Sequence, residues 1–208
     1  VQELGFVFAS ACSHIDNLIA RGWKADDFVG RLAFHLAAHK DFFEEIAKLR
    51  AVRRLWARIM KERFHAKNPN SLRLRFHTQT AGVTLTAQQP NNNIIRVTLQ
   101  ALAAILGGTQ SLHTCGADEA LAIPTEDSVK LSLRTQQVLA HESGVTDVAD
   151  PLGGSYYIEY LTSKLEEKAL EYIERIDKMG GISNAIEEGY IQSEIQNNAY
   201  RDQKRIDK

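Results

Sequence analysis

The stretch LRLRFHTQTAGVTLTAQQPNNNIIRVTLQALAAILGGTQSLHT, residues 72–114, carries the signals of strand, helix and strand in one run. Leu72 to Phe76 alternates leucine and arginine, the period-two pattern of a strand with one apolar face. Pro90 and the asparagines after it introduce an apolar helical run, Ile94 to Leu106, which Gly107 and Gly108 bring to a stop. Thr109 to His113 is then long enough for a second short strand. Two strands joined through a helix are parallel neighbours, because a parallel pair needs a long crossover.

The same alternation extends both ways. Upstream, Leu4, Val7, Phe8, Ala11, Ile15, Leu18 and Ile19 fall at helical spacing, with Gly22 as a stop. Asp26 and Asp27 precede a strand-length apolar run from Leu32 to Leu36. Phe42, Ile46, Leu49, Trp56 and Met60 then mark a second long helix, which ends before the turn Asn68-Pro69-Asn70. Downstream, Thr125 is the expected N-cap of a helix running to about Glu142, with Glu126 and Asp127 in its first turn. Pro151, Gly153 and Gly154 make a loop before the amphipathic stretch Tyr157 to Met179, and Gly180 and Gly181 close it ahead of two short helices. About four βα units fit into this length, which is half of an eight-stranded barrel or a small doubly wound sheet. No low-complexity linker divides the chain, so one domain over residues 1–208 is expected.

Composition removes several function classes. The 208 residues are 44% hydrophobic and 25% charged, and 25 basic residues nearly balance 26 acidic ones. No overall field therefore favours nucleic acid or an anionic membrane, and neither is expected as a partner. The basic residues between Arg50 and Arg75 share helical spacing with apolar ones, which describes a solvated helix face better than a rim for a phosphorylated small molecule. Cys12 and Cys115 are too few for a disulfide framework or a zinc cluster. Such sparse cysteines fit a reducing cytoplasm or an organelle matrix, and no apolar run approaches membrane-spanning length. The first residue is a valine inside a helical pattern, so the chain is expected to be a fragment, a cleaved product or an excised domain.

Polar residues recur where the strand candidates end. His35 follows Leu32, His77 and Gln79 follow Phe76, and Gln110 to His113 surround the third strand. In a parallel barrel those ends form the active-site mouth. Imidazole and carboxamide groups there can hydrogen-bond a carbonyl or carboxylate without adding net charge. Other constellations carry less. His35 and His39 are four apart but lack the glutamate of a metalloprotease helix, and no metal site is expected. Neither glycine pair is followed by the Lys and Ser/Thr of a phosphate loop. Cys115 has no basic neighbour in sequence to make it a nucleophile. Lys164 to Lys168 reads as exposed helix pairing.

The stretches DFFEEIAKLRAVRRLWARIM (Asp41 to Met60), RFHTQTAGVTLTAQQPNNNIIR (Arg75 to Arg96), LGGTQSLHT (Leu106 to Thr114), DEALAIPTE (Asp118 to Glu126) and DPLGGSYYIE (Asp150 to Glu159) are long, ordered and specific. Through them, from Arg31 to about Asp207, the chain resembles the catalytic or large subunit of the methylmalonyl-CoA mutase family; VQEL at the start also fits, just after the family's substrate-binding Gly-Tyr-His turn. The resemblance implies an α/β fold, a parallel TIM-type barrel of which this is about the C-terminal half. It implies an acyl-CoA whose pantetheine arm runs along the barrel axis, and adenosylcobalamin held at one end by a flavodoxin-like domain.

Residue by residue, the resemblance gives Arg31 a contact to coenzyme A. It puts His77 and Gln79 near the thioester and acyl group, and makes Gln110 a further amide of the cavity. Glu119, Ala120 and Gly82 would face the corrin, and His35 would line the cavity where a phenylalanine is common. Alanine at position 33 replaces a usual serine, Val83 a frequent tryptophan, and Cys115-Gly116 an Asn-Ser or Asn-Gly pair. The activity implied is the radical 1,2-rearrangement of an acyl-CoA, by default methylmalonyl-CoA to succinyl-CoA. A sibling activity on isobutyryl-CoA or 2-hydroxyisobutyryl-CoA is the first alternative; a non-catalytic CoA-binding or assembly segment is the second.

No D-x-H-x-x-G occurs in the chain, so the resemblance assigns the lower cobalt ligand to another domain or chain. It also assigns the Tyr-His pair and a carboxylate-binding arginine to sequence before Val1. The expected partners are therefore the first barrel half and a cobalamin-binding domain or subunit, in a homo- or hetero-oligomer. The isolated chain is expected to be inactive.

Overall fold

The computed structural model describes residues 1–207, which form two compact units, Phe28–Glu166 and Val1–Asp27 together with the chain from Glu167. The expectation of one domain rested on the lack of a linker. None is visible because the second boundary falls inside a continuous helix rather than in a loop.

The larger unit is a small α/β layer. β1 (Phe34–Ala38), β2 (Phe76–Thr80) and β3 (Leu112–His113) form one parallel sheet in that order. Between β1 and β2 run α3 (Phe42–Glu62) and the single turn α4 (Pro69–Leu72); between β2 and β3 runs α5 (Asn92–Leu106). α6 (Glu126–Glu142) and the first half of α7 (Tyr156–Lys178) complete it. The parallel βα alternation read from the sequence is thus present over three strands. Among the described residues no strand lies between α6 and α7.

Two of the strands begin later than the sequence reading placed them. The Leu-Arg alternation before Phe76 is not a strand: Asn68 accepts from the Asn70 amide, Pro69 opens a helical turn, and β2 starts only at Phe76. β1 likewise starts at Phe34 rather than Leu32, after the short 3₁₀ turn Val29–Arg31. β3 is two residues long, against five in the reading.

The helices answer to ordinary signals. Asp41 caps α3 by accepting from the Glu44 amide at 3.3 Å, and Thr125 caps α6 by accepting from the Ser128 amide at 3.3 Å. α3 buries Ile46, Leu49, Val52, Leu55, Trp56, Ile59 and Met60 along one stripe. Each such side chain contributes about 1.5–3 kcal/mol relative to exposure. Trp56 is the anchor: its indole N–H donates to the Ser71 carbonyl at 3.1 Å, and its ring meets Phe34 edge-on at 4.9 Å. Ile46, Ala103 and Ile158 bring α3, α5 and α7 into one core cluster. Lys48, inside this layer, pairs with Glu45 at 2.6 Å and donates to the Ala37 carbonyl of β1 at 2.6 Å.

The basic run from Arg50 is an ion-paired helix face. Arg50 holds Asp150 and Glu159, while Arg54 and Arg58 share Glu166. Arg53 donates to the Gly108 carbonyl at 2.9 Å. These bonds tie α3 to the loop before α7 and to the end of α5.

In the smaller unit, α1 (Gln2–Ala20), the rest of α7, α8 (Ile182–Glu187) and α9 (Tyr190–Ile206) are all helical. Leu4, Phe8, Cys12 and Ile15 are buried on α1, and Ala169, Ile173 and Ile176 on α7. Gly5 permits the close approach of these helices, since a Cβ there would meet the Tyr172 Cβ at 2.5 Å. The Tyr172 hydroxyl donates to Glu194 at 2.9 Å, and Gln2 donates to the same carboxylate at 3.1 Å.

Candidate active site

Alternation along β1 and β2 separates two sets of side chains. Leu36, Ala38, Phe76, Thr78 and Thr80 are buried, and α5 packs against both strands. His35, Ala37, His77 and Gln79 fall on the opposite, accessible face. The register sets His35 beside His77, Ala37 beside Gln79, and Gln79 beside His113. Imidazole, carboxamide and imidazole thus share one open face.

The rings of His35 and His77 meet edge to face, 5.0 Å apart and inclined by 71°. Nδ1 of His77 lies 2.8 Å from the Ser111 hydroxyl. Partial burial, followed by the like charge that His35 and then His113 would carry, holds the His77 pKa below its ordinary value. A neutral imidazole is the form that results. Gln79 reaches Cys115 through a weak N–H···S contact at 3.7 Å, so little holds its carboxamide back from a better partner.

His35 and His77 do not close their strands as the sequence suggested. They are the second residues of β1 and β2, because the strands start later than the hydrophobic runs do. Gln110 is not brought to the His77–Gln79 face. Its Oε1 accepts from the Phe76 amide at 3.0 Å and its Nε2 donates to the Leu74 carbonyl at 2.7 Å. That carboxamide acts as a side-chain extension of the sheet, pairing with the backbone just before β2.

The remaining candidates lie at the two ends of the strands. Arg31 closes the 3₁₀ turn before β1 and is exposed. Gly82 follows β2, and Glu119 and Ala120 follow β3, so these three belong to the opposite end of a parallel sheet. Gly82 and Glu119 are neighbours: a Cβ on Gly82 would stand 3.2 Å from the Glu119 Cγ. Exposed Val83, Leu121 and Ile123 give these loops an apolar surface. Five strand residues at about 3.3 Å each put roughly 17 Å between the two ends.

Asn93, fully buried in the first turn of α5, binds the two loops together. Its Oδ1 accepts from the Thr86 amide at 3.1 Å and from Arg96 at 2.7 Å. Its Nδ2 donates to the Thr86 carbonyl at 2.9 Å and to the Ala117 carbonyl at 2.8 Å. Asp118 fixes the second loop by accepting from the Ser128 hydroxyl and from the Thr125 amide and hydroxyl, and these bonds lower its carboxyl pKa. Sequence reasoning passed over Asn93, Ser111 and Asp118. The asparagine run looked like a helix start only, and a serine between two strand residues has no motif to mark it. Among the described residues no cluster of three His, Cys, Asp or Glu side chains could hold a metal ion, and no helix is long and apolar enough to cross a membrane.

The chain is 54% identical over 200 residues to the 2-hydroxyisobutanoyl-CoA mutase large subunit of Aquincola tertiaricarbonis, an alignment covering 96% of this chain and 36% of that protein. It is 50% identical over 208 residues to the methylmalonyl-CoA mutase of Cereibacter sphaeroides, covering 100% of this chain and 29% of the relative. It is 44% identical over 207 residues to the mitochondrial methylmalonyl-CoA mutase of Homo sapiens, covering 100% of this chain and 28% of the relative. The chain therefore spans about a third of the length of these relatives. The family model for methylmalonyl-CoA mutase matches residues 1–208. Because that family model matches all 208 residues of it, the chain belongs to the methylmalonyl-CoA mutase family.

Proposed function

We propose that this chain forms part of the catalytic barrel of an adenosylcobalamin-dependent acyl-CoA mutase, about the C-terminal half of a TIM-type barrel. The reaction is the 1,2-rearrangement of an acyl thioester, with methylmalonyl-CoA and succinyl-CoA as the first pair to test. The observation that carries this reading is the His77–Gln79 pair, two residues apart on the open face of the parallel sheet, where partial burial and the neighbouring histidines disfavour a charge on His77. A neutral N–H donor can hydrogen-bond a thioester oxygen and stabilise charge on it without surrendering a proton. Gln79 offers a second neutral donor two residues along the same face.

The two ends of the sheet suit the two ends of such a complex. Arg31, exposed before β1, would meet the phosphates of coenzyme A, for which a planar guanidinium is well matched. Gly82, Glu119 and Ala120, with the apolar surface around them, would face the corrin, and the missing side chain at Gly82 lets Glu119 pack close to the backbone there. Adenosylcobalamin, when bound, supplies the radical that begins the rearrangement. This chain's residues bind and orient the thioester and keep water from it. The cobalt ligand, the first barrel half and the cobalamin-binding domain come from elsewhere in the protein or from a partner subunit. A reducing cytoplasm or an organelle matrix suits two buried cysteines that form no disulfide.

A second reading is favoured by His35. Its imidazole, beside His77, offers hydrogen bonding at a place where a phenyl ring would offer none, as a hydroxylated acyl group requires. The relative from Aquincola tertiaricarbonis is named for 2-hydroxyisobutanoyl-CoA. Turnover by the complete cobalamin-loaded protein on methylmalonyl-CoA, isobutyryl-CoA and 2-hydroxyisobutyryl-CoA separates these substrates. Absence of turnover on all three would remove the mutase reading.

A further inference from the structure

We propose that Ser111 is a positioning residue: its hydroxyl donates to Nδ1 of His77 and so fixes the tautomer that carries the proton on Nε2. This inference rests on the reading of His77 as a donor to the thioester oxygen. It adds the group that decides which nitrogen does the donating.

Ser111 is exposed, but its backbone is held in place. Its carbonyl accepts from the Thr78 amide at 2.9 Å and from the Thr109 hydroxyl at 2.8 Å. The preceding residue, Gln110, pins both ends of its carboxamide to the backbone at Leu74 and Phe76. The Thr78 and Gln110 bonds run between the β3 side and β2 or the residues just before it, and the Thr109 bond braces the same turn from within, so the backbone of Ser111 is fixed relative to His77. Its Oγ then stands 2.8 Å from Nδ1. Among the described residues the His77 ring is the one partner of that hydroxyl.

A neutral imidazole has one nitrogen with a hydrogen and one with a lone pair, and an outside partner selects between them. A serine oxygen is a much weaker base than an imidazole nitrogen. The hydroxyl hydrogen therefore goes to Nδ1, and the ring hydrogen stays on Nε2 at the far side of the ring. The groups facing His77 strengthen the choice. His35 approaches edge to face at 5.0 Å, and His35 and His113 both oppose a positive charge on the ring. Neutral His77 without Ser111 would divide between two tautomers, only one of which presents N–H to an acceptor oxygen. Ser111 acts on the substrate through His77 alone.

The test is a double-mutant cycle in the complete, cobalamin-loaded protein, with the acyl-CoA that it turns over. Ser111→Ala should lower kcat about fivefold, the loss expected for one neutral hydrogen bond, and leave KM within about twofold. Ser111→Thr, which keeps the hydroxyl, should recover most of the rate. Ser111→Cys, of similar volume but a weak donor, should fall between them. In a His77→Ala background, Ser111→Ala should cost nothing further, because the residue through which it acts is gone. Equal losses in both backgrounds, or no recovery with threonine, would overturn the inference while leaving the mutase reading intact. If His77→Ala itself left kcat unchanged, the reading of His77 and this inference would both fall.

Discussion

Replacing Asn93 with alanine should loosen the loops that follow β2 and β3 without breaking the sheet. The side chain is fully buried, and all four of its hydrogen-bonding positions are used. Alanine strands three backbone groups, the amide and carbonyl of Thr86 and the carbonyl of Ala117. At about 1 kcal/mol for each lost bond, with burial adding to it, the loops should lose about 3 kcal/mol of local stability. That corresponds to roughly two decades in an opening equilibrium. Amide hydrogen exchange reads this directly, since the Thr86 N–H donates to Asn93 Oδ1. Thr86 protection should fall about 10²-fold, with Ala81–Leu85 and the Ala117–Leu121 segment following. Amides in the centre of β1 and β2 should change far less. A fall of under fivefold at Thr86, or an equal loss through the strands, would show that Asn93 is not the tie between the loops.

Other consequences are open to measurement. His77→Ala in the complete enzyme should slow turnover by roughly 10²-fold or more, as expected for a lost oxyanion contact; an unchanged rate would remove His77 from the site. The acid limb of the pH–rate profile should lie below the ordinary imidazole value of about 6.5. Protonation of His77 is opposed in the fold, so the neutral form, and the stability linked to it, persists above that value and is lost only as pH falls through the depressed pKa. His35→Ala should move the limb upward, and a shift downward would contradict the assigned causes. Trp56→Ala should cost about 3–5 kcal/mol in denaturant unfolding, since it empties a core site and leaves the Ser71 carbonyl without its donor. Gly82→Val should weaken cobalamin binding at least tenfold in an absorbance titration by pushing Glu119 aside; an unaltered Kd would take that loop out of the corrin surface.

Much of the fold could be read from particular residues. Phe42, Thr125 and the glycines after Leu106 mark helix ends that the structure keeps to within a few residues. The strands were harder, because the buried positions of β2 include threonines rather than aliphatic residues. Thr78 Oγ1 lies 2.8 Å from the Thr109 hydroxyl, with which it shares a hydrogen bond, and Thr80 Oγ1 accepts from the Cys115 amide at 2.9 Å. Once satisfied, those hydroxyls can be buried, yet in sequence they read as solvent-facing. The Leu-Arg alternation nearby offered a stronger and false strand signal. For the candidate site, His77 and Gln79 were legible as a pair two apart. The turning of Gln110 onto the backbone was not, because it depends on where the unpaired groups at Leu74 and Phe76 come to lie.

The even-numbered side chains of β1 and β2 are wedged against helices, while the odd-numbered ones stand clear of that packing. Ligand preference can therefore drift by single replacements at positions such as 35 or 37 with little penalty to the scaffold. A lineage with this arrangement can explore new ligands while its framework stays the same.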